Sequence, residues 1–273
     1  MATPLQAPFG WMGGKSRLRA TLAPMIPEQD TPVKGRKLQR YVEVFGGAGW
    51  LLLYKERWFN SEVYNDINEG LVNLFSVIRY HPDELLKELE MIVHSQKLFN
   101  YYKDTLHLTD IHRAVGTLLK YGWSFSSRGT SYGFDARISP KTLIERVTKL
   151  RERFANVSIS NESFEKSIKR WDKENTFLYL DPPYFGSENV YSDIGEFGIA
   201  QHVQLSELLK NSKATWMLSY GDHAVIRDLY KDFHITETTV KYSGLGNSGD
   251  NQYDAPELII TNYELPKDVS LYD

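Results

Sequence analysis

The tetrapeptide Asp181-Pro182-Pro183-Tyr184 places a carboxylate, two rigid prolines and an aromatic ring directly after the apolar run 176–180. That run is typical of a buried parallel strand, and the prolines prevent both its continuation and an immediate helix. A carboxylate, free backbone carbonyls and a ring at one strand end suit a planar heteroaromatic amine, hydrogen-bonded at its nitrogen and stacked on Tyr184. The arrangement predicts chemistry on a base flipped out of DNA.

Two glycine-rich segments near the N-terminus allow the backbone to approach a ligand closely. The first, residues 11–15, combines the flat ring of Trp11 with the cation of Lys15 close to the start of a helical pattern. The second, residues 45–49, begins with Phe45, contains Gly47 and follows an apolar run. We therefore expect a strand, a glycine turn and then a helix, as in the first half of a βαβ unit.

An acid follows the glycine turn at the spacing of a nucleoside site. Asp66 ends a second short strand pattern, and it lies about 20 residues beyond the turn, where a carboxylate binds ribose hydroxyls in nucleotide-binding units. The turn lacks the GxGxxG spacing of dinucleotide sites, because residues 46–49 are compact and no third glycine follows inside the helix. This pattern favours a nucleoside ligand without a pyrophosphate.

Strand and helix patterns alternate at both ends of the chain, and the middle is different. Strands are expected at 41–45, 62–67, 156–160, 176–180 and 214–220, helices at 201–209 and 222–230, and two consecutive strands at 233–242 and 257–263. The two consecutive strands indicate an antiparallel closing pair. We predict an α/β fold with a Rossmann-like, mostly parallel sheet in residues 1–80 and 150–273. Residues 81–149 form a mainly helical insertion with a loop or hairpin.

The loop of the insertion is rich in aromatic, hydroxyl and glycine residues. Such a mixture suits a nucleic-acid surface, because aromatic rings stack, hydroxyls bind phosphates and an arginine can bind guanine in a bidentate manner. The candidates for DNA binding are Trp123, Ser126, Arg128 and Tyr132. An ordinary hairpin held together by its aromatic side chains explains the same composition.

Composition narrows the class of protein further. The 273 residues carry a formal net charge of −3, which argues against nonspecific coating of nucleic acid but leaves room for local basic clusters such as 146–153 and 166–173. Each cluster is either a solvated face or part of a DNA-binding cleft. The chain has no cysteine, and its seven histidines show no paired spacing, so we expect no metal. No apolar run is long enough for a membrane span and no leader pattern is present, so we expect a soluble intracellular protein of the cytoplasm.

Four motifs in a fixed order resemble those of the Dam-type DNA adenine-N6 methyltransferases. They are Trp11-Met12-Gly13-Gly14-Lys15, Phe45-Gly46-Gly47-Ala48-Gly49, Asp66-Ile67-Asn68 and Asp181-Pro182-Pro183-Tyr184. The similarity spans nearly the whole chain. It implies a methyltransferase sheet, S-adenosylmethionine as the co-substrate, double-stranded DNA as the substrate, and a target-recognition role for the insertion.

The resemblance also implies roles for single residues. Trp11, Lys15 and Asp66 contact S-adenosylmethionine, Phe45 and Gly47 shape its pocket, and Asp181 lies between the cofactor and the target adenine. Two departures limit the transfer. Where the family shows Asp-Phe, this chain has Asn161-Glu162-Ser163-Phe164, so the acid is either moved to Glu162 or lost. Residues 126–129 also depart from the Asn-Gly hairpin of GATC-specific members, so GATC specificity does not follow.

The motifs predict a mechanism with no nucleophilic side chain. Asp181 and the carbonyl of Pro182 accept the two hydrogens of the adenine amine, which frees its lone pair, and Tyr184 stacks on the base. Two alternatives remain at this stage. The enzyme could methylate another planar amine, such as an RNA base or a protein amide, or the chain could bind DNA without turnover.

Overall fold

The computed structural model describes residues 4–11, 15–134, 138–186, 197–243 and 252–265. The α-helices in this part are α1 (Arg19–Leu22), α2 (Glu69–Tyr80), α3 (Pro82–Glu90), α4 (Gln96–Asp104), α5 (Asp110–Gly122), α6 (Pro140–Phe154), α7 (Phe164–Trp171), α8 (Ile199–Lys210) and α9 (Ala224–Leu229). The strands are β1 (Arg40–Glu43), β2 (Ser61–Asn65), β3 (Val157–Ser160), β4 (Thr176–Leu180), β5 (Thr215–Gly221), β6 (His234–Ser243) and β7 (Gln252–Thr261). Within the described ranges, no helix is long and apolar enough to cross a membrane.

The strands form a seven-stranded sheet in the order β3-β2-β1-β4-β5-β7-β6. β2 pairs with β3, β1 with β4 and β4 with β5, all in parallel, whereas β7 is antiparallel to both β5 and β6. The predicted α/β fold, with a mostly parallel sheet and an antiparallel closing pair, is confirmed.

The central strand β4 positions the tetrapeptide. All five of its residues are buried, as expected for a parallel strand covered on both faces. It lies between β1 and β5, and its last residue, Leu180, is paired with Leu218 of β5. Asp181 therefore emerges at the carboxyl end of the sheet, where ligands of open α/β sheets bind.

The chain divides into two compact units. One comprises residues 1–14, 46–57 and 61–161, and the other comprises residues 15–45, 58–60 and 162–273. In the first unit, a buried ion pair joins α6 to β2, since both terminal nitrogens of the Arg153 guanidinium donate to the Glu62 carboxylate at 2.7 and 2.8 Å. In the second unit, the Asp172 carboxylate accepts hydrogen bonds from the backbone N–H groups of Lys213 and Ala214, just before β5. Our assignment of residues 81–149 as a separate insertion remains a proposal.

The prediction of a helix directly after the glycine turn is wrong. Only a single 3-10 turn forms there, at Leu52–Tyr54. The carbonyls of Leu52 and Lys55 instead accept hydrogen bonds from the Arg153 guanidinium, at 2.8 and 3.1 Å. Carbonyls bound in this way are satisfied without the i to i+4 bonds of an α-helix.

Candidate active site

The carboxylate of Asp181 is held by two side chains from distant parts of the second unit. The Lys15 ammonium lies 2.7 Å from Oδ1, and the Ser219 hydroxyl of β5 donates to the same oxygen at 3.1 Å. The Lys15 side chain is 4% exposed and that of Asp181 is 17% exposed. Both contacts fall on Oδ1, so they fix the orientation of the carboxylate while using one oxygen.

Burial and the two donors act on Asp181 in opposite directions. Burial raises the pKa of its carboxyl group above the usual aspartate value, whereas the Lys15 ammonium and the Ser219 hydroxyl partly offset the rise. The net effect is a pKa above that of an exposed aspartate, so the Asp181 carboxylate is the more basic of the two. Such a group can both accept a hydrogen bond and take up a proton.

Tyr184 is fixed at both ends of its side chain. Its hydroxyl donates to Oε2 of Glu257 in β7 at 2.5 Å, and the Lys15 ammonium lies 4.6 Å from the centroid of its ring. A Cβ at Gly221 would stand 2.9 Å from Cδ2 of the ring, so the glycine makes room for it. Burial, followed by the nearby Asp181 and Glu257 carboxylates, raises the pKa of Tyr184, which keeps the phenol neutral.

Three residues of this site escaped the sequence analysis: Ser219, Gly221 and Glu257. Ser219 and Gly221 lie in an ordinary strand pattern, and no local feature marks them. The sequence does offer a signal for Glu257, which is a charged residue directly before the apolar run 258–260. In the structure Glu257 is only 2% exposed. A charge that is buried in a strand usually has a specific partner.

The glycine turn of the first unit is tied to Asp66. The N–H of Gly47 donates to Oδ2 of Asp66 at 2.7 Å, and the N–H of Asn68 donates to Oδ1 at 2.8 Å. Gly47 has φ of +50°, a conformation that favours glycine. Burial raises the pKa of Asp66, and these backbone donors oppose the rise.

The Asp66 carboxylate fits a nucleoside. A carboxylate offers about four lone-pair positions, so Asp66 keeps capacity for a further hydroxyl beside its backbone donors at Gly47, Ile67 and Asn68. A ribose diol supplies two such donors. Asn161 steadies the same segment, since its amide donates to the carbonyls of Asp66, at 2.8 Å, and Ile67, at 3.1 Å. Our sequence analysis treated Asn161 only as a departure from the family.

Trp11 lies directly on the glycine turn. Its Nε1 is 3.0 Å from the position that a Cβ would take at Gly47, so any side chain there would displace the indole. The Tyr64 hydroxyl donates to the Gly47 carbonyl at 2.7 Å and holds the turn from β2. Residues 12–14 of the same motif lie outside the described residues.

Phe45 belongs to an aromatic group in the second unit. Its ring centroid lies 5.8 Å from that of Phe164 and 5.8 Å from that of Phe197. Glu162, the proposed replacement for the family acid, is bound by Arg170, whose Nε and Nη2 donate to its carboxylate at 2.9 and 2.5 Å. The role of Glu162 in cofactor binding remains a prediction.

Residues 123–133 close into a hairpin, one of the two forms, loop or hairpin, that we expected here. Ser124 and Tyr132 form an antiparallel bridge, and the N–H of Gly133 donates to the Trp123 carbonyl at 2.8 Å. We call residues 124–134 the recognition loop. Arg128 is exposed at its tip, between two residues with positive φ, Ser127 at +55° and Gly129 at +76°.

The other predicted DNA contacts are placed differently. Trp123 is fully buried and its indole N–H donates to the Ile138 carbonyl at 2.9 Å, so the expectation that Trp123 contacts DNA is wrong. A large apolar ring with a partner for its N–H packs better beneath the loop than in water. Tyr132 is half-buried, with its hydroxyl 2.8 Å from Nδ1 of His94. The side chain of Ser126 lies outside the described part.

The basic cluster 146–153 supports the protein itself. Arg146 donates to the carbonyls of Ala7, at 3.1 Å, and Pro8, at 3.3 Å, and Arg151 binds Asp83 at 2.8 Å. Together with the buried Arg153, these residues favour the structural explanation of the cluster. In the described ranges, no group of three or more His, Cys, Asp or Glu side chains is arranged to hold a metal ion.

Comparison with known proteins assigns the chain to a family. A family model described as D12 class N6 adenine-specific DNA methyltransferase matches residues 11–243. The chain is similar to the Type II methyltransferase M.CviBI of Paramecium bursaria Chlorella virus NC1A, with 24% identity over 266 residues, which cover 93% of this chain and 98% of that protein. It is also similar to the Type II methyltransferase M1.LlaDCHI of Lactococcus lactis subsp. cremoris, with 25% identity over 283 residues, 93% of this chain and 94% of that protein.

A third relative is the DNA adenine methylase of Haemophilus influenzae, with 24% identity over 259 residues and 85% of each chain covered. The range matched by the family model includes the glycine turn, Asp66 and the tetrapeptide that ends at Tyr184. The chain belongs to the D12 class of N6 adenine-specific DNA methyltransferases.

Proposed function

We propose that the protein transfers the methyl group of S-adenosylmethionine to N6 of an adenine flipped out of double-stranded DNA, with the tetrapeptide Asp181–Tyr184 as its catalytic centre. The observation that carries this proposal is the Asp181 carboxylate, which is oriented by Lys15 and Ser219 at the end of the buried strand β4. Family membership supports the reaction, and the geometry supports the residue roles.

Asp181 and Pro182 act on the exocyclic amine. The lone pair of this amine is conjugated with the ring, which makes it a poor nucleophile. When the Asp181 carboxylate and the Pro182 carbonyl each accept one hydrogen, the nitrogen can pyramidalise and its lone pair becomes available. The negative carboxylate also stabilises the positive charge that grows on the nitrogen, and it costs little reorganisation because Lys15 and Ser219 already hold it.

The raised pKa of Asp181 suits a second task. The methylated nitrogen must lose a proton, and a carboxylate that burial has made more basic takes it up more readily. The Lys15 ammonium opposes this rise and favours the ionised form of the carboxyl group. S-adenosylmethionine, when bound, supplies a methyl group on a positively charged sulfur.

Tyr184 holds the base in place. Its ring stacks on the flipped adenine, and base–aromatic stacking is worth about 1 to 3 kcal/mol, which offsets part of the stacking lost on flipping. The bond to Glu257 and the small residue at Gly221 fix the plane of the ring before the base arrives. A ring fixed in advance loses less conformational entropy when it binds.

The cofactor contacts follow the family pattern. We assign Asp66 to the ribose hydroxyls, Trp11, Phe45 and Gly47 to the walls of the pocket, and Lys15, Glu162 and Asp181 to further polar contacts. The lone-pair capacity of Asp66 and the close approach of Trp11 to Gly47 support the first two assignments. No metal takes part in the proposed reaction, and we place the protein in the cytoplasm.

Arg128 contacts DNA in this proposal, together with Ser126 and Tyr132. Arg128 is exposed at the tip of the recognition loop, where its guanidinium can reach a guanine edge. Trp123 is fully buried and packs against the base of the recognition loop, so it is not assigned a DNA contact.

One assay separates the proposal from its alternatives. Purified protein is incubated with methyl-labelled S-adenosylmethionine and, in parallel, with unmethylated duplex DNA, RNA or protein acceptors, and digested nucleosides are analysed. We expect label in N6-methyladenine from the duplex. Label only in RNA or protein would indicate methylation of another planar amine, and cofactor binding without transfer would indicate a DNA-binding protein. Either result contradicts the proposal.

A further inference from the structure

Trp11 touches two parts of the first unit at once. One side of the indole lies on the glycine turn, with Nε1 3.0 Å from a Cβ position at Gly47. The other side meets Tyr121 edge-on, with ring centroids 4.7 Å apart and planes at 69°. Phe9 completes the group, 5.3 Å from Tyr121 and 6.3 Å from Trp11. We call Phe9, Trp11 and Tyr121 the Trp11 cluster.

Tyr121 brings the recognition loop into this contact. It lies in the last turn of α5, which ends at Gly122, two residues before the loop begins. The neighbouring Lys120 places its ammonium 5.3 Å over the Tyr121 ring, and its Cε would lie 2.5 Å from a Cβ at Gly129. The end of α5 therefore contacts both Trp11 and the loop.

A second contact joins the loop to the same N-terminal segment. The Ser127 hydroxyl oxygen lies 2.6 Å from the position of a Cβ at Gly10, so a side chain at Gly10 would displace this hydroxyl. Ser127 also has a positive φ of +55°, a strained conformation for a non-glycine residue that persists only where the surroundings hold it. The loop conformation is thus set partly by the residue next to Trp11.

We propose that Tyr121 is a positioning residue that seats Trp11 on the glycine turn and thereby couples cofactor binding there to DNA binding by the recognition loop. This inference rests on the proposed function, which assigns Trp11 to the cofactor and the loop to DNA. A cofactor that fixes Trp11 also fixes Tyr121 and the loop, so the DNA that binds next meets a more ordered surface. By linkage, DNA strengthens cofactor binding by the same factor.

The test is a pair of DNA titrations. A duplex that the wild-type protein methylates is titrated with and without saturating S-adenosylhomocysteine, which cannot donate a methyl group. We expect the product to tighten DNA binding by roughly 5- to 150-fold, the usual range of coupling between two sites. The ratio of DNA affinities with and without S-adenosylhomocysteine measures the coupling. In Tyr121→Leu this ratio falls towards one, while the affinity for either ligand alone changes by a smaller factor than the ratio does. Tyr121→Phe retains the ring and keeps the wild-type ratio.

The outcomes separate this inference from the proposed function. Wild-type protein that binds both ligands with a ratio of one overturns the inference alone, and so does Tyr121→Leu with the wild-type ratio. If the wild-type protein methylates no duplex DNA, the proposed function falls and this inference falls with it. If Tyr121→Leu does not fold, amide exchange of the wild-type protein decides: S-adenosylhomocysteine alone must slow exchange in residues 124–134, and unchanged exchange refutes the coupling.

Discussion

The tetrapeptide that ends at Tyr184 and the recognition loop are held in different ways. In the tetrapeptide, the functional groups themselves are bonded, Asp181 to Lys15 and Ser219, and Tyr184 to Glu257. In the recognition loop, backbone bonds such as that from the Gly133 N–H to the Trp123 carbonyl hold the chain. Of the side chains, the Tyr132 hydroxyl lies 2.8 Å from Nδ1 of His94, whereas Arg128 and Phe125 are exposed, the latter by 59%.

In the proposed function, the tetrapeptide carries out methyl transfer and the recognition loop selects the DNA sequence, and the two tasks need different kinds of support. Charge stabilisation in a transition state requires groups that do not reorganise, and the bonds around Asp181 provide that. In the proposed function, reading a base edge requires side chains that reach out of the protein, and Arg128 is exposed at the tip of the recognition loop. Changes in the tetrapeptide or its supports should therefore alter the rate, and changes at the loop tip should alter which adenines are methylated.

The largest effect is expected from Asp181→Ala. Loss of one preorganised group that stabilises the transition state costs about 10²- to 10³-fold in kcat, and the methylated nitrogen also loses its proton acceptor. DNA affinity should remain close to that of the wild type. Filter binding and single-turnover methylation check both quantities, with the exposed Asp228→Asn as the control for removal of a charge. Equal activity in the Asp181 variant would contradict the mechanism.

Glu257→Ala should lower kcat by roughly 10- to 100-fold, because small displacements of a positioning group have effects of that size. Its loss removes the acceptor that fixes the Tyr184 hydroxyl. Glu257→Gln keeps an acceptor and should recover most of the rate, and KM for S-adenosylmethionine should change little in either variant. An alanine variant that is as active as the glutamine variant would show that Glu257 has only a structural role.

Arg128→Ala should relax sequence choice and leave the rate at the best site nearly unchanged. Loss of a bidentate contact with guanine reduces discrimination by about 1 to 3 kcal/mol at that base pair. Sequencing of the methylated DNA measures this directly, and Arg36→Ala, which removes a half-exposed arginine from the second unit, is the charge-matched control. An unchanged methylated motif would remove Arg128 from the recognition surface.

Ser219→Ala should give the smallest effect, a shift of the pH profile. The reaction requires ionised Asp181, so activity is present above the pKa of this group and is lost as the pH falls through it. Burial already raises that pKa, and the Ser219 hydroxyl lowers it, so the variant should lose activity at a higher pH than the wild type. Plots of kcat/KM against pH check this, with the buried Ser206→Ala as the control. A shift to lower pH would contradict the assignment.

The sequence identified the residues of the tetrapeptide site better than it identified the contacts between them. The apolar pattern of β4 and the prolines after it located Asp181, and Lys15 was selected from its own motif. Their 2.7 Å contact was not predictable, because it depends on how distant segments meet. The hydrogen bond from Tyr184 to Glu257 was unpredictable for the same reason.

The two errors have physical causes of the same kind. Trp123 was assigned to DNA because composition does not distinguish an exposed ring from one that packs beneath a loop. The helix after the glycine turn was expected from the local pattern alone. In the structure, Arg153 of α6 donates hydrogen bonds to backbone carbonyls of this segment that would otherwise accept from a helix. In both cases a tertiary contact overrides a local preference.

The most direct test of the account compares DNA from two cultures of a host without its own N6-methyladenine. One culture produces the wild-type protein and the other produces Asp181→Ala at the same level. Nucleoside mass spectrometry should find N6-methyladenine in the first DNA and none in the second. N6-methyladenine in both, or a different methylated base in the first, would contradict the assignment of adenine methylation to Asp181.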